Sequence, residues 1–233
     1  MRFAIWTPLP ETAPHAGVKA LWILGRALEA RGHTVTMWSG DAMPDCDVLI
    51  LPERTAPATT HPRTVRWVLL HGGQLKDGER PYTWSPAYSD APVLNVPNFD
   101  LDELHDPRSF RWGSAVWVGK GKVSAPIPED AQIITYDMPR SEVVKILQTV
   151  ETLISFDPYS AVNTEAALCG AFVTLPIPRP KDMPADFDFG FLWADIPRRW
   201  MDTTVRDQVK RINALAELTI NAFVEDMEAW TFQ

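Results

Sequence analysis

Apolar and polar positions along this chain fall into two rounds of the same rhythm. In the first round, Arg2–Trp6 (RFAIW) is a short apolar run that reads as a strand. Residues 16–31 then place Val18, Leu21, Trp22, Leu24 and Leu28 at helical intervals and stop at Gly32, a residue suited to a left-handed helix end. Strands are predicted next at 33–39 (HTVTMWS), 47–52 (DVLILP) and 65–72 (VRWVLLHG), with a short fifth at 92–98 (PVLNVPN). Runs that are apolar throughout, joined by helices or loops, indicate a parallel sheet covered on both faces. The opening strand–helix–strand is a βαβ unit.

The rhythm restarts after residue 108. Strands are predicted at 114–120 (SAVWVGK), 131–137 (AQIITYD), 152–157 (TLISFD) and 171–176 (AFVTLP), with helices over 140–151 and from Ala161 to Cys169, closed by Gly170. Residues 177–200 are rich in proline and aromatics and have no clear period. A last helix over 203–230 carries Val205, Val209, Ile212, Leu215, Leu218 and Phe223 as an apolar stripe. The expected fold class is therefore α/β, with two Rossmann-like lobes and a ligand cleft where strands end. The expected divisions are 1–108, 109–200 and a terminal helix within 201–233.

Composition narrows the class. The chain has 233 residues, 45% of them hydrophobic, enough for one large domain or two small ones. A net charge of -8 argues against general attraction to nucleic acid or anionic membrane, although local basic patches remain open. Two cysteines, Cys46 and Cys169, give neither a disulfide framework nor zinc-ligand spacing. No run approaches the length of a membrane span, and the first residues lack the apolar stretch of a signal peptide. A cytoplasmic protein is expected. The tryptophans, Trp84, Trp112, Trp117, Trp193 and Trp200 among them, read chiefly as core.

The most informative segment is Ser155 to Leu175 (SFDPYSAVNTEAALCGAFVTL). Asp157 ends a strand, a polar loop follows, and Glu165 lies an early turn or two inside the next helix. Loop amides and a helix N-terminus attract phosphate, which makes Tyr159, Ser160, Ala161 and Val162 candidate phosphate contacts. A carboxylate inside such a helix can accept hydrogen bonds from ribose hydroxyls. An ordinary capped helix with a solvated Glu165 is the alternative.

This segment resembles the donor-site motif of GT-B glycosyltransferases, in particular glycosyltransferase family 4. There two glutamates are separated by seven residues, and the second precedes a small-residue run. Here the pattern is Asp157-x7-Glu165, then Ala166, Ala167 and Cys169-Gly170-Ala171-Phe172-Val173, with Asp in place of the first Glu. VLNVPNFDLDELHDP (93–107) is similar to the segment that ends the family's first lobe, with Pro97-Asn98, Asp100 and Pro107 in place. AVWVGKGKV (115–123) resembles the strand that opens the second lobe.

The resemblance runs over nearly the whole chain. It implies a GT-B fold with a donor cleft between the lobes and a C-terminal helix returning to the first lobe. It also implies transfer of a hexosyl or pentosyl group from a nucleotide-diphosphate sugar such as a UDP-sugar, retaining and without a metal or other cofactor. Lys120 and Lys122 would neutralise the diphosphate. Gly17 would lie in the loop lining the acceptor and diphosphate side. His15 and His71, with Asp157, are the candidates for touching the sugar or the acceptor. Three Asp-x-Asp triplets, at Asp45, Asp100 and Asp186, are assigned no metal.

The acceptor is open: a saccharide, a lipid-linked glycan or a modified DNA base. The chain is short for this architecture, which suits a large acceptor. A phage-type enzyme acting on a hydroxymethylated base in DNA would need a basic face from Arg54, Arg63, Arg66, Arg80, Arg108 and Arg111, unless these are paired with nearby acids. A non-catalytic nucleotide-sugar-binding module or partner subunit is the reading from another class. A monomer and a homodimer are both compatible with the sequence.

Overall fold

In the computed structural model the chain forms two α/β units, each built on a five-stranded parallel sheet. The structure describes residues 1–11, 16–40, 42–53, 61–69, 76–86, 88–107, 110–181, 183, 191–194 and 204–231.

The first unit comprises Met1–Asn98 and Arg211–Gln233. Its elements are β1 (Arg2–Trp6), α1 (Ala16–Glu29), β2 (Thr34–Trp38), β3 (Val48–Pro52), β4 (Thr64–Val68) and β5 (Arg80–Thr83). The sheet order is β2-β1-β3-β4-β5, with Phe3 level with Val35 on one side and Val48 on the other. β3 and β4 are buried at every position, as expected of central strands covered on both faces. Gly32 follows α1 with φ of 83°, a left-handed conformation that glycine adopts without a Cβ penalty.

The fifth strand differs from the expectation. Residues 92–98 do not form a strand; they make a single parallel bridge, Thr83 to Val93, and Leu94 and Val96 enter the core. Pro92 and Pro97 have no N–H to donate to a ladder. The edge is formed instead by β5, whose Pro81 is tolerated because an edge strand can spare a donor.

The second unit comprises Phe99–Lys210. It contains β6 (Ser114–Trp117), β7 (Gln132–Ile134), α2 (Arg140–Thr149), β8 (Thr152–Ser155), α3 (Ala161–Leu168), β9 (Phe172–Leu175) and β10 (Leu192–Trp193), in the order β10-β9-β8-β6-β7. The short β10 pairs with β9 and has no clear signal in the sequence.

The last helix, α4 (Val205–Thr231), starts in the second unit and continues into the first. Ile220, Phe223 and Met227, spaced at helical intervals, join a core with Phe3, Ile5, Leu24, Leu28, Trp67 and Tyr82. The Phe223 ring meets Tyr82 edge-on at 4.9 Å. Polar ties flank this seam: Arg31 Nε donates to Asn221 at 2.8 Å, and Asn95 N donates to Thr219 at 3.0 Å. Burying a ring such as Phe223 contributes roughly 1.5–3 kcal/mol. Leu215 and Leu218, expected in the same stripe, are exposed.

Candidate functional site

A parallel sheet opens a crevice where the chain leaves two adjacent strands in opposite directions. In the second sheet these strands are β6, which leads to β7 on one side, and β8, which leads to β9 on the other. The loop after β6 carries Gly119, Lys120, Gly121 and Lys122, and the loop after β8 carries Asp157 to Ser160.

The two loops are joined by Asp157, which is 7% exposed. Its Oδ2 accepts the Lys120 N–H at 3.0 Å and its Oδ1 accepts the Tyr159 N–H at 3.3 Å. Its carbonyl accepts from the Asn163 side chain at 2.8 Å, which ties the loop to α3. The first loop lies against the end of β8 closely enough to require glycine. A Cβ on Gly121 would sit 1.8 Å from the Phe156 carbonyl oxygen. Gly119 has φ of 54°, and a Cβ there would meet both Asp157 Oδ2 and Trp117 Nε1 at 2.6 Å. Lys120 and Lys122 are exposed on this loop, and neither side chain is paired among the described residues.

Ser160 caps α3, its hydroxyl accepting the Val162 N–H at 3.4 Å. Ala161 and Val162 therefore open a helix at the mouth of the same crevice, where the Ala161 N–H, without a partner among the described residues, and the dipole favour an anion. Tyr159 is partly exposed beside them. Trp117 ends β6 with a buried indole N–H that has no partner among the described residues, and its ring meets Tyr136 edge-on at 4.7 Å. Burial and the nearby Asp157 push the Tyr136 hydroxyl above its ordinary pKa.

Glu165 lies in the second turn of α3 and is buried, with Oε2 accepting Arg140 Nη1 at 2.7 Å. Arg140 also reaches Glu103 at 3.1 Å. Burial opposes the Arg140 charge, and the two glutamates outweigh it and hold the guanidinium above its ordinary value. The Cys169 thiol is pushed up to about 12 by its own burial and by Glu165, so it is an inert core group. Among the described residues no cluster of three or more His, Cys, Asp or Glu side chains is arranged to hold a metal ion.

The structure thus brings together Asp157, Lys120, Tyr159, Ser160 and Val162, with Lys122 and Ala161 on the same two segments. Gly17 belongs to the first unit, in the first turn of α1, where a Cβ would meet nothing closer than Leu69 Cδ1 at 3.9 Å. That position follows β1, and β1 and β3 are the equivalent diverging pair of the first sheet. His15 and His71 lie outside the described residues. Arg140 was not among the expected site residues; nothing local marks it, because its partners are distant in sequence.

Of the six arginines weighed for a basic face, three are already paired. Arg66 is fully buried inside β4, with Nε on Glu79 at 2.7 Å and Nη1 on the Pro52 carbonyl at 2.6 Å. Arg80 pairs with Asp226 at 3.1 Å and lies over the Trp230 ring. Arg111 belongs to the second unit, paired with Asp106 at 2.9 Å. Arg54 and Arg108 lie outside the described residues. Charge counted along a sequence does not reveal pairing. Two of the Asp-x-Asp triplets are also engaged: Asp45 and Asp47 bind Arg2, and Asp100 caps the amides of Asp102 and Glu103. Asp186 lies outside the described residues.

No family model and no curated protein matches the chain. Among solved structures, an alpha-glucosyltransferase in complex with UDP and a 13-mer DNA containing an HMU base aligns over 93% of this chain and 90% of its own, at 13% identity and a TM-score of 0.43. An alpha-glucosyltransferase in complex with UDP aligns over 100% and 96%, at 13% identity and a TM-score of 0.44. Another, in complex with UDP-glucose and DNA containing an abasic site, aligns over 100% and 95%, at 14% identity and a TM-score of 0.44. No described helix is long and apolar enough to cross a membrane.

Proposed function

We propose that this chain is a nucleotide-sugar-dependent glycosyltransferase of the GT-B type, and that its second lobe holds the donor. One observation carries the reading: at the diverging strands of the second sheet, Asp157 locks a Gly-Lys-Gly-Lys loop against the entry to α3. The result is a rigid turn bearing two lysines unpaired among the described residues, beside a capped helix N-terminus, a combination suited to a diphosphate.

In this reading the sugar's bond to the diphosphate oxygen breaks and a bond from an acceptor oxygen forms. The acceptor proton passes to the departing phosphate. Negative charge grows on the leaving diphosphate, and Lys120, Lys122 and the amides that open α3 would stabilise it. Asp157 has both oxygens engaged by amides, so its part is to shape the loop. Attack from the face that the diphosphate leaves would retain the anomeric configuration, and the two lysines with the helix amides would supply the positive charge that a metal could otherwise bring.

A hydroxymethylated DNA base is the second version of the acceptor. Its electrostatic grip would have to come from arginines other than Arg66, Arg80 and Arg111, which are already paired. Incubating the protein with a panel of nucleotide sugars, with saccharide and hydroxymethylated-DNA acceptors, tests the proposal by release of nucleoside diphosphate. Release above a Lys120→Ala/Lys122→Ala control supports it; no release and no binding of any nucleoside diphosphate would refute it.

A further inference from the structure

Arg140 occupies the first position of α2, where the helix dipole disfavours a cation. Its placement therefore answers to something else. Nη1 holds Glu165 Oε2 at 2.7 Å, while Nη2 and Nε reach Glu103 Oε2 at 3.1 and 3.4 Å. The Glu165 side chain is 11% exposed and Arg140 34%, so the pair stands at the edge of the protein interior. Among the described residues Glu165 has no other side-chain partner, and none for Oε1.

The far end of this chain of contacts is also fixed. Asp100 Oδ1 caps the Glu103 amide at 3.2 Å, and Gln148 donates to the Glu103 carbonyl at 3.3 Å. Arg206 donates to the carbonyls of Leu101 and Leu104 at 3.0 and 3.3 Å, so the turn carrying Glu103 is pinned on both sides. An ion pair at such a depth seldom stabilises a fold more than apolar residues of the same size would. What it supplies is direction: one carboxylate oxygen held, the other presented.

We propose that Arg140, anchored by Glu103, is a positioning residue that fixes Glu165 so that its remaining oxygen accepts hydrogen bonds from the vicinal hydroxyls of a nucleoside-diphosphate ribose. This rests on the donor-site reading above and specifies how that site distinguishes a ribonucleotide from its deoxy counterpart. Lysine in place of Arg140 keeps the charge but cannot span both glutamates, because its single ammonium lacks the guanidinium fork.

The test is calorimetric binding of UDP, GDP, ADP and CDP, of their 2′,3′-dideoxy forms and of inorganic pyrophosphate. Wild-type protein, Arg140→Met, Arg140→Lys and Glu103→Gln are compared, with a thermal melt of each. For the tightest-binding nucleotide, wild type is expected to prefer the ribo form at least tenfold. Arg140→Met should reduce that preference to within twofold, and Arg140→Lys and Glu103→Gln should fall between, with pyrophosphate affinity unchanged in all variants that melt cooperatively. A preference retained in Arg140→Met, equal losses for nucleotide and pyrophosphate, or no ribose preference in wild type overturns this assignment and leaves the diphosphate site standing. Wild-type protein that binds neither nucleotides nor pyrophosphate overturns the donor-site reading itself.

Discussion

The two sheets are built on the same plan and stabilised differently. In the first, β3 and β4 are buried at every position, and α1 and the last third of α4 close over the sheet with Leu24, Leu28, Phe223 and Met227. In the second, β8 and β9 alternate between buried and partly exposed positions, and the helices are short, at 10 and 8 residues. In the diverging-strand region of the second unit, backbone meets backbone and a buried carboxylate fastens two loops. Both units bury an apolar core, and in the second the glycines and Asp157 also shape the loops at the strand ends. The same topology can thus carry differently shaped strand ends, according to where the glycines and the buried polar groups fall.

Removing the Phe223 ring should have the largest effect. Phe223→Ala is expected to destabilise the first unit by about 3–5 kcal/mol, the range for deleting a buried aromatic. Folded protein should bind nucleoside diphosphate as before. Denaturant unfolding and calorimetry on the same samples check both halves, and an affinity loss matching the stability loss would erase the division of labour.

Gly121→Ala should show the reverse. Its Cβ would fall on the Phe156 carbonyl, and because that atom is backbone the loop must move. Nucleoside diphosphate affinity is expected to drop at least tenfold, about 1.4 kcal/mol, with a smaller change in melting temperature than Phe223→Ala produces. Unchanged affinity would show that the loop does not touch the ligand. The smallest of the three effects belongs to the single lysine variants. Lys120→Ala or Lys122→Ala should weaken nucleoside diphosphate binding by about 0.5–1 kcal/mol, the scale for one solvent-exposed charge pair, and leave bare nucleoside binding unaltered. Equal losses for both ligands would mark the lysines as a solvated turn.

Most of the strand and helix pattern was legible because burial follows periodicity: β1, β3 and β4 are apolar runs, and α1 ends where Gly32 takes a left-handed φ. The fifth strand was not. Leu94 and Val96 are as buried as strand residues, and only the missing proline donors separate a bridged segment from a ladder. β5, with an arginine and a proline in four residues, carries no apolar signal at all. In the site, the Asp157 and Gly-Lys-Gly-Lys segments were visible as motifs, because glycine and charge at a strand end have local meaning. Arg140 was not, since its two carboxylate partners come from other parts of the chain. The pairing of Arg66 with Glu79 was hidden in the same way.

The most direct measurement is a crystal structure of the protein with the nucleoside diphosphate that binds it most tightly. The diphosphate is expected to lie against Lys120, Lys122 and the amides that open α3, with the ribose hydroxyls on Glu165. A diphosphate bound elsewhere in the molecule, with the Gly119–Lys122 loop empty, would contradict the central claim.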